Sequence, residues 1–296
     1  MATLHILGAG SIGLLWAYYL RQAGHDVTLI LRPPYTANVQ PLRLTDTQGQ
    51  PLPPISVSCV DSTAVHHITT LLVCTKAFAA LEAVSSVAHA LQPDSAIVLL
   101  QNGMGSQQSI VSHFPQHVIY AASSTAGARK IAPFCVQHTG IGATEWGVLS
   151  AHDNACDLAT FLSCKLTLER SNDIQATLWR KLLINCCINP LTVIFDCNNG
   201  ELATLPAAQN LMHDILQECF MVAAAAGMTD ALNGIEQRLL QVIQATASNS
   251  SSMREDAKAQ RRTEIDFING AICHLADTYA IQCPTNHYLW NSIRQL

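Results

Sequence analysis

Short apolar runs alternate with helical stretches through the first half of the chain. The apolar runs are rich in β-branched and leucine residues, which is typical of buried strands, and the stretches between them have the spacing of amphipathic helices. This βαβ rhythm predicts a parallel sheet with crossover helices. The predicted strands are residues 3–7, 27–31, 70–74 and 96–100, and the predicted helices are residues 11–23 and a segment after Lys76.

The pattern changes farther along the chain. Residues 33–54 are rich in Pro, Thr and Gln, which predicts a loop with short edge strands. The segments FCVQHTG and ATEWGVL, residues 134–140 and 143–149, predict a terminal hairpin. From about Asp153 onward nearly every stretch has helical periodicity, so the second half is expected to be all-helical, with a domain boundary near residue 170. Helix breaks are predicted at Asn189 with Pro190, at Asn199 with Gly200, at Gly227 and at Pro284.

A glycine-rich turn stands between the first predicted strand and the first predicted helix. Its G-x-G-x-x-G sequence allows a tight turn, close approach of the backbone to a pyrophosphate, and close helix-to-strand packing. The helix N-terminus adds unpaired N–H groups and the positive end of the helix dipole. The motif therefore predicts a Rossmann-type dinucleotide-binding domain, in an α/β fold, rather than a structural glycine turn. Its residues are Gly8, Ala9, Gly10, Ser11, Ile12 and Gly13.

The residues that end the second predicted strand bear on the choice of dinucleotide. An NAD-preferring site would place Asp or Glu there, as an acceptor for the ribose 2′-hydroxyl, but the chain has Leu31, Arg32 and Pro33. A guanidinium at that point suits a 2′-phosphate, which favours NADP over NAD. The alternative is that Arg32 only occupies a strand end, which leaves the choice of cofactor open.

Polar residues follow two further predicted strands. Lys76 comes after LLVCT, and Asn102 lies within LLQNGMG. In an open α/β sheet the carboxyl ends of the strands face the ligand crevice, so both side chains are candidates for contacts with cofactor or substrate. Each is equally consistent with a helix cap or a solvated lysine.

The helical half contains the segment LWRKLLINCCINPL, which is apolar nearly all round and is expected to be buried. Lys181, Asn185 and Asn189 are spaced i, i+4 and i+8 in it, which places them on one helix face. Such a polar stripe faces water, a partner or a cleft. The alternative is a lysine that reaches the surface and two asparagines that cap the helix end. A second polar cluster, which equally fits a solvated helix face, contains Ser252, Glu264 and Asn269.

Composition and charge exclude several classes of partner. The chain has 296 residues, of which 49% are hydrophobic and 12% charged, with a net charge of -5. No run of like charge occurs, which argues against nucleic acid and anionic membranes as partners. The longest apolar stretch, residues 219–226, is too short to span a membrane. The first ten residues lack the basic n-region of a signal peptide, so we expect a cytoplasmic protein.

Eleven cysteines raise the question of disulfides and metals. The number is odd and the only close pair is Cys186 with Cys187, so reduced thiols are expected rather than a disulfide framework. No CxxC motif occurs, and Pro115 breaks the helix that would bring His113 and His117 onto one face. We therefore expect no metal site.

With these motifs in both halves, the sequence resembles the 2-dehydropantoate 2-reductase family, whose members are also called ketopantoate reductases. The resemblance extends along nearly the whole chain, because both halves contain long shared stretches. These are the glycine loop, LLQNGMG, LWRKLLINCCINPLT, NGEL at residues 199–202, SSM and RRTEIDFINGAI. The resemblance implies an NADPH-dependent enzyme of pantothenate and coenzyme A biosynthesis that transfers hydride to the C2 carbonyl of ketopantoate and forms pantoate. It implies an NADP-binding domain over residues 1–170 and a substrate-binding domain over residues 171–296.

The resemblance also implies roles for individual residues. Lys181 and Glu264 are the expected catalytic residues, with Lys181 as general acid and Glu264 in contact with both substrate and cofactor. The expected substrate-binding set is Lys181, Asn185, Asn189, Asn199 and Ser252. The expected cofactor-binding set is Gly8, Ala9, Gly10, Ser11, Ile12, Gly13, Arg32, Lys76, Asn102, Ala128 and Glu264.

Two other functions fit the same residues. One is NADPH-linked reduction of a different 2-oxo or 3-oxo acid, although a substrate without the distal hydroxyl would leave the Glu264 carboxylate unpaired. The other is a non-enzymatic NADPH-binding regulator, against which the intact Lys181 argues. The expected partner is a small-molecule 2-oxo acid, bound by a monomer or a homodimer.

Overall fold

The computed structural model describes residues 3–150 and 156–296, so the point near Asp153 where the sequence predicts the onset of helical periodicity lies outside the described residues. The chain divides into two units. One comprises the residues up to Gln101 together with Ser106–Ile174, and the other comprises Asn102–Gly105 together with Gln175–Leu296. The sequence alone places this boundary near residue 170.

The first unit is built on a β-sheet. Its strands are β1 Leu4–Leu7, β2 Val27–Leu31, β3 Asn38–Thr45, β4 Ile55–Asp61, β5 Ile68–Val73, β6 Leu91–Leu99, β7 Val118–Ser124, β8 Gly127–Ala132, β9 Cys135–Gly140, β10 Ala143–Val148 and β11 Thr167–Arg170. In the described part of the chain they form one sheet, in the order β11-β10-β7-β6-β5-β1-β2-β4-β3-β9-β8. The helices of this unit are α1 Ser11–Gln22, α2 Ala80–Ser86, α3 Ser106–His113 and α4 Leu158–Phe161, with 3₁₀ turns at Ala77–Ala79 and Ala88–Ala90.

The centre of the sheet is parallel. β1 lies between β2 and β5, with Leu4 opposite both Val27 and Thr70, and β6 and β7 continue the parallel order beyond β5. Helix α1 follows β1 directly and buries Leu14, Leu15 and other apolar side chains in the core of this unit. The predicted parallel α/β sheet followed by a helical region is confirmed.

The predicted hairpin between residues 134–140 and 143–149 is wrong. β9 pairs with β8 and β3, whereas β10 pairs with β7 and β11. Long-range packing decides this outcome, because each strand has its own distant partner for a buried ring. On β9, Nδ1 of His138 hydrogen-bonds the hydroxyl of Tyr19 at 2.9 Å. On β10, Trp146 packs edge-on against Tyr120 of β7, with ring centroids 6.0 Å apart.

Residues 33–54 also differ from the prediction, because β3 is an internal strand rather than an edge strand. It pairs with β4 along residues 38–42 and with β9 along residues 43–45. Leu42 and Leu44 of β3 are fully buried. The β8–β9 hairpin therefore extends the sheet past β3.

The second unit is helical. Its helices are α5 Ile174–Ile194, α6 Pro206–Ala225, α7 Ile235–Ala245, α8 Ser252–Lys258, α9 Asn269–Thr278 and α10 Pro284–Arg294, with 3₁₀ turns at Asn199–Ala203, Thr229–Leu232 and Ile265–Phe267. Leu183, Cys186 and Leu191 of α5 have no exposed surface, so α5 is the central helix of this unit's core. No helix within the described residues combines the length and the apolar character needed to cross a membrane.

Helix α5 continues through Pro190, so the predicted break at this position is wrong. Proline has no N–H to donate to the carbonyl four residues earlier, that of Cys186. The structure supplies a substitute donor, because Asn269 Nδ2 lies 3.2 Å from the Cys186 carbonyl oxygen. Asn269 Nδ2 also donates to Asn286 Oδ1 at 2.9 Å, and Asn286 Nδ2 donates to Glu218 Oε2 at 2.7 Å. A buried side-chain network thus satisfies the helix where the proline interrupts it.

We expect Asn269→Ala to lower the free energy of unfolding by about 1–3 kcal/mol, because it leaves a buried carbonyl without a donor. Pro190→Ala restores an N–H at the position that normally donates to Cys186. The loss caused by Asn269→Ala should therefore be smaller in a Pro190→Ala background than in the wild type. Urea unfolding of the four proteins measures this coupling. An equal loss of unfolding free energy in both backgrounds would show that the Asn269 side chain does not replace the N–H that Pro190 lacks.

Candidate active site

The glycine loop between β1 and α1 has the geometry of an anion-binding turn. Gly8 has φ +107°, and a Cβ on it would lie 3.1 Å from the Thr75 side chain. A Cβ on Gly13 would overlap the carbonyl oxygen of Gly8. Gly10 is the N-cap of α1 and provides no side-chain hydrogen bond to the first turn. The first amides of α1 thus remain available to a phosphate, which the helix dipole also favours.

Strand β8 is attached to this loop by Lys130. Its ammonium donates to the carbonyl oxygen of Ala9 at 2.9 Å, and its backbone N–H donates to Ser11 Oγ at 3.0 Å. The Ser11 hydroxyl accepts this bond and keeps its own proton to donate. Ala128, a member of the expected cofactor set, lies two residues earlier on β8. Sequence reasoning missed Lys130, because its partners are about 120 residues away and no local spacing reveals them.

Arg32 lies where the sequence predicts it, directly after β2, and is exposed. The loop that follows is held by Asp61 at the end of β4, whose Oδ2 accepts the N–H of Tyr35 at 2.9 Å. Asp61 Oδ1 accepts the N–H of Thr63 at 2.8 Å. Hydrogen bonds from Thr63 and then from Tyr35 lower the pKa of Asp61 and keep it ionised. Arg32 is therefore presented at the start of an anchored loop.

The ends of β5 and β6 are joined by Gln101, whose Nε2 donates to the carbonyl oxygen of Val73 at 2.7 Å. Lys76 follows β5, is partly exposed and precedes the 3₁₀ turn Ala77–Ala79. Thr75 Oγ1 and Gln101 Oε1 are buried polar atoms without a hydrogen-bond partner among the described residues. Buried polar atoms are normally paired, so these two, of which Thr75 lies next to Gly8, fit a site built for a polar ligand.

In the second unit, Asn102 lies close to Glu264. Asn102 Nδ2 donates to Glu264 Oε2 at 3.4 Å, and Glu264 is only 4% exposed. The following residues fix this arrangement, because Met104 N donates to the Phe267 carbonyl oxygen at 2.8 Å. Gly103 between them has φ +80°, and a Cβ there would overlap the same carbonyl. This position accepts only glycine, since both the backbone conformation and the space exclude a side chain.

Lys181 lies on α5 and interacts electrostatically with Glu264. Burial lowers the pKa of Lys181 to about 8, and the Glu264 carboxylate acts against this shift. Asn185 and Asn189 follow on the same helix, as the spacing predicts, with Asn189 7% exposed. An ammonium whose pKa is near neutrality can both carry a charge and give up a proton, which is what a general acid requires.

Asn199 and Ser252 lie in other parts of the second unit. Asn199 Nδ2 donates to Thr246 Oγ1 at 2.9 Å, while its Oδ1 is buried without a partner among the described residues. Ser252 is the first residue of α8 and is exposed. Its neighbour Ser251 is the N-cap, which accepts from Arg254 N at 3.1 Å. The Ser251 hydroxyl is thus used in capping, and Ser252 is the exposed serine at the start of α8.

The structure therefore links some of the expected site residues directly. Asn102 hydrogen-bonds Glu264, whose charge acts on Lys181, and Asn185 and Asn189 follow Lys181 by four and eight residues on α5. The glycine loop, Arg32, Lys76 and Ala128 belong to the first unit.

Comparison with known proteins identifies relatives along the whole chain. The family model described as ketopantoate reductase PanE/ApbA matches residues 4–151, and the model of the C-terminal part of the same family matches residues 173–296. The 2-dehydropantoate 2-reductase of Vibrio cholerae serotype O1 is 34% identical over 296 residues, covering 98% of this chain and 96% of the relative.

Two solved structures have the same architecture. A PanE/ApbA family ketopantoate reductase from Ralstonia eutropha JMP134 superposes with a TM-score of 0.88 at 27% identity, covering 99% of this chain and 98% of that one. A D-mandelate dehydrogenase in ternary complex with NADH and anilino(oxo)acetate superposes with a TM-score of 0.89 at 25% identity, covering 99% of this chain and 97% of that one.

Proposed function

Because this chain belongs to the ketopantoate reductase family, we propose that it catalyses the NADPH-dependent reduction of ketopantoate to pantoate, a step of pantothenate and coenzyme A biosynthesis. The observation that carries the proposal is Lys181, a lysine with a pKa near 8 beside a buried carboxylate, Glu264, on an otherwise apolar helix. Residues 1–170 serve as the cofactor domain and residues 171–296 as the substrate domain, with Asn102 from the first stretch supporting Glu264.

The residues of the first unit fit NADPH. The open amides of α1 and the glycines before them suit its pyrophosphate, and the exposed guanidinium of Arg32 suits its 2′-phosphate. Lys130 adds a positive charge beside the glycine loop, and the Ser11 hydroxyl adds a donor. When bound, NADPH supplies the hydride.

Lys181 acts as the general acid. Negative charge develops on the C2 carbonyl oxygen during reduction, and the Lys181 ammonium stabilises that charge and transfers a proton to it. Solvent then reprotonates the lysine. Glu264 favours the charged form of Lys181 and accepts a hydrogen bond from the terminal hydroxyl of ketopantoate. Asn102 keeps the carboxylate in position through its bond to Oε2.

The remaining polar residues bind the rest of the substrate. Asn185 and Asn189 offer amide groups on the same helix as Lys181, and Asn199 offers a buried acceptor, Oδ1. The Ser252 hydroxyl offers a donor to the carboxylate. A 2-oxo acid with a distal hydroxyl uses the donors of the site through its carboxylate and the acceptors through its hydroxyl. This distinguishes ketopantoate from simpler 2-oxo acids, which lack the hydroxyl.

The reaction is tested by NADPH oxidation with purified protein and a panel of 2-oxo acids that includes ketopantoate, analogues without its hydroxyl, and aryl 2-oxo acids. We expect the highest kcat/KM with ketopantoate. A higher value with another 2-oxo acid would indicate a different reductase, and binding of NADPH without any turnover would indicate a regulator.

Lys181→Met should lower kcat by about 10²–10⁴, the usual contribution of a positioned acid, while NADPH affinity changes by no more than a few-fold. Lys258→Met is the matched control, because Lys258 is an exposed lysine of the same unit whose partner is Asp196, at 3.0 Å. It should retain wild-type kcat. Steady-state kinetics and cofactor titration separate the two effects. Near-normal kcat in Lys181→Met would show that Lys181 is not the acid.

The pH dependence follows from the pKa of Lys181. The ammonium is the active form, so kcat/KM for ketopantoate should fall as the pH rises through about 8. Glu264 raises this pKa, so Glu264→Gln should move the fall of kcat/KM to lower pH. It should also weaken the binding of ketopantoate. Kinetics from neutral to alkaline pH measures both curves. An unchanged inflection in Glu264→Gln would contradict the electrostatic coupling.

Arg32 and Lys130 should affect cofactor binding in different ways. Arg32→Gln removes charge-assisted bonds to the 2′-phosphate. It should lower the affinity for NADPH about ten- to a hundredfold and leave the affinity for NADH unchanged. Lys130→Met removes a charge beside the pyrophosphate, which both cofactors contain. It should therefore lower the affinities for NADPH and NADH by a similar factor. Calorimetric titration of both variants with both cofactors measures the four changes. Equal wild-type affinity for NADPH and NADH would contradict the role of Arg32.

A further inference from the structure

Two helices of the second unit bring together two thiols and an imidazole. Cys273 lies on α9, Cys283 is the N-cap of α10, and His287 lies one turn into α10. One ligand atom from each of the three lies within 4.8 Å of those from the others. Asp277, four residues after Cys273, has its Oδ1 3.9 Å from His287 Nε2. The four side chains are thus two i, i+4 pairs on adjoining helices.

The cluster is buried on one side and open on the other. Cys273 is fully buried and Cys283 is 2% exposed. The side chain of His287 is 38% exposed and that of Asp277 is 68% exposed. A surface depression of about 290 Å³ reaches the cluster and is lined by Asp277, Ile281, Gln282, Cys283, Pro284 and His287. The depression therefore opens the Cys283 and His287 side of the cluster to solvent.

The combination of donors selects one class of ligand. Thiol sulfur and imidazole nitrogen are the donors that Zn²⁺ takes in tetrahedral sites, with a carboxylate oxygen as an accepted fourth ligand. Ca²⁺ and Mg²⁺ require oxygen ligands and do not suit two sulfurs. Packing alone accounts for buried cysteines, since a thiol behaves as a small apolar group. It does not account for an imidazole and a carboxylate converging on the open side of the same pair.

We propose that Cys273, Cys283 and His287 bind a Zn²⁺ ion, with Asp277 completing a tetrahedral site. Donor atoms in such a site lie about 3.3–3.8 Å apart, so the ligand atoms of Cys273, Cys283 and His287 need to approach one another by at most about 1.5 Å, through changes of rotamer. Each thiol binds as a thiolate, and the two protons leave to solvent. The ion joins α9 to α10 and stabilises the end of the helical unit. None of these four residues belongs to the proposed cofactor or substrate sets, so the site is independent of the proposed reaction.

The helical spacing explains why sequence reasoning predicted no metal. That expectation depended on the lack of a CxxC motif and on the break between His113 and His117. Here the ligands come as C-x-x-x-D and C-x-x-x-H, from two helices whose packing against each other the sequence does not show.

The test is a titration of the 296-residue chain, reduced and freed of metal, with Co²⁺ as the spectroscopic probe. We expect one Co²⁺ per chain with a thiolate-to-metal charge-transfer band and the strong visible bands of tetrahedral Co²⁺, both removed by one equivalent of Zn²⁺. His287→Gln and Cys283→Val should each lower the affinity for Co²⁺ by about tenfold or more. Zn²⁺ should raise the Tm of the wild type and not that of either variant.

Two matched controls separate the site from its surroundings. His274→Gln removes an exposed imidazole that contacts the same Trp290 ring as His287, and Cys187→Val removes a buried thiol outside the cluster. Both should retain the wild-type Co²⁺ spectrum and affinity. The proposal is overturned if Co²⁺ shows no thiolate band, or if His287→Gln binds as tightly as His274→Gln. Reductase activity with ketopantoate should be unchanged in His287→Gln, which keeps this test apart from that of the reaction.

Discussion

Helix α5 stays intact at Pro190 with the help of one hydrogen bond, from the Asn269 side chain to the carbonyl of Cys186. Pro190 removes the donor that this carbonyl would have in an ordinary helix, and an unpaired buried carbonyl costs about 1–3 kcal/mol. Because Asn269 replaces the missing donor, α5 runs unbroken over 21 residues. The bond pairs a carbonyl in the helical turn between Cys186 and Pro190, which contains Asn189. The buried Asn286 and Glu218 in turn hold Asn269, so a polar network inside an apolar core supports the end of the helix that carries the proposed acid.

The proposed acid results from two opposing effects on one lysine. Desolvation alone would favour the neutral amine, and the buried carboxylate of Glu264 alone would favour the ammonium. Their balance gives a pKa at which the lysine is charged at neutral pH and yet a competent proton donor. Asn102 and the glycine after it bear on this balance from a distant part of the sequence, because they hold the carboxylate in place.

Local patterns predicted those parts of the fold and the site that are encoded locally. The alternation of apolar runs gave the parallel strands, and the i, i+4 spacing placed Lys181 and Asn185 on one helix. What failed depended on partners far away in sequence. The hairpin was wrong because β9 and β10 each pair elsewhere, and the break at Pro190 was wrong because its remedy comes from Asn269. Lys130 and the cysteines of α9 and α10 carried no local signal, since only the folded chain brings them to their neighbours.

The bond from Asn269 to Cys186 also bears on the order in which the chain acquires its structure during synthesis. The two residues are 83 positions apart, and the donor comes later. A nascent chain that has emerged only as far as α8 contains Pro190 but not the amide that compensates for it. Until Asn269 has been synthesised, the Cys186 carbonyl of α5 lacks the donor that replaces the N–H of residue 190. On the helix with the proposed catalytic lysine, this carbonyl can therefore gain its side-chain donor only after the start of α9 has been synthesised.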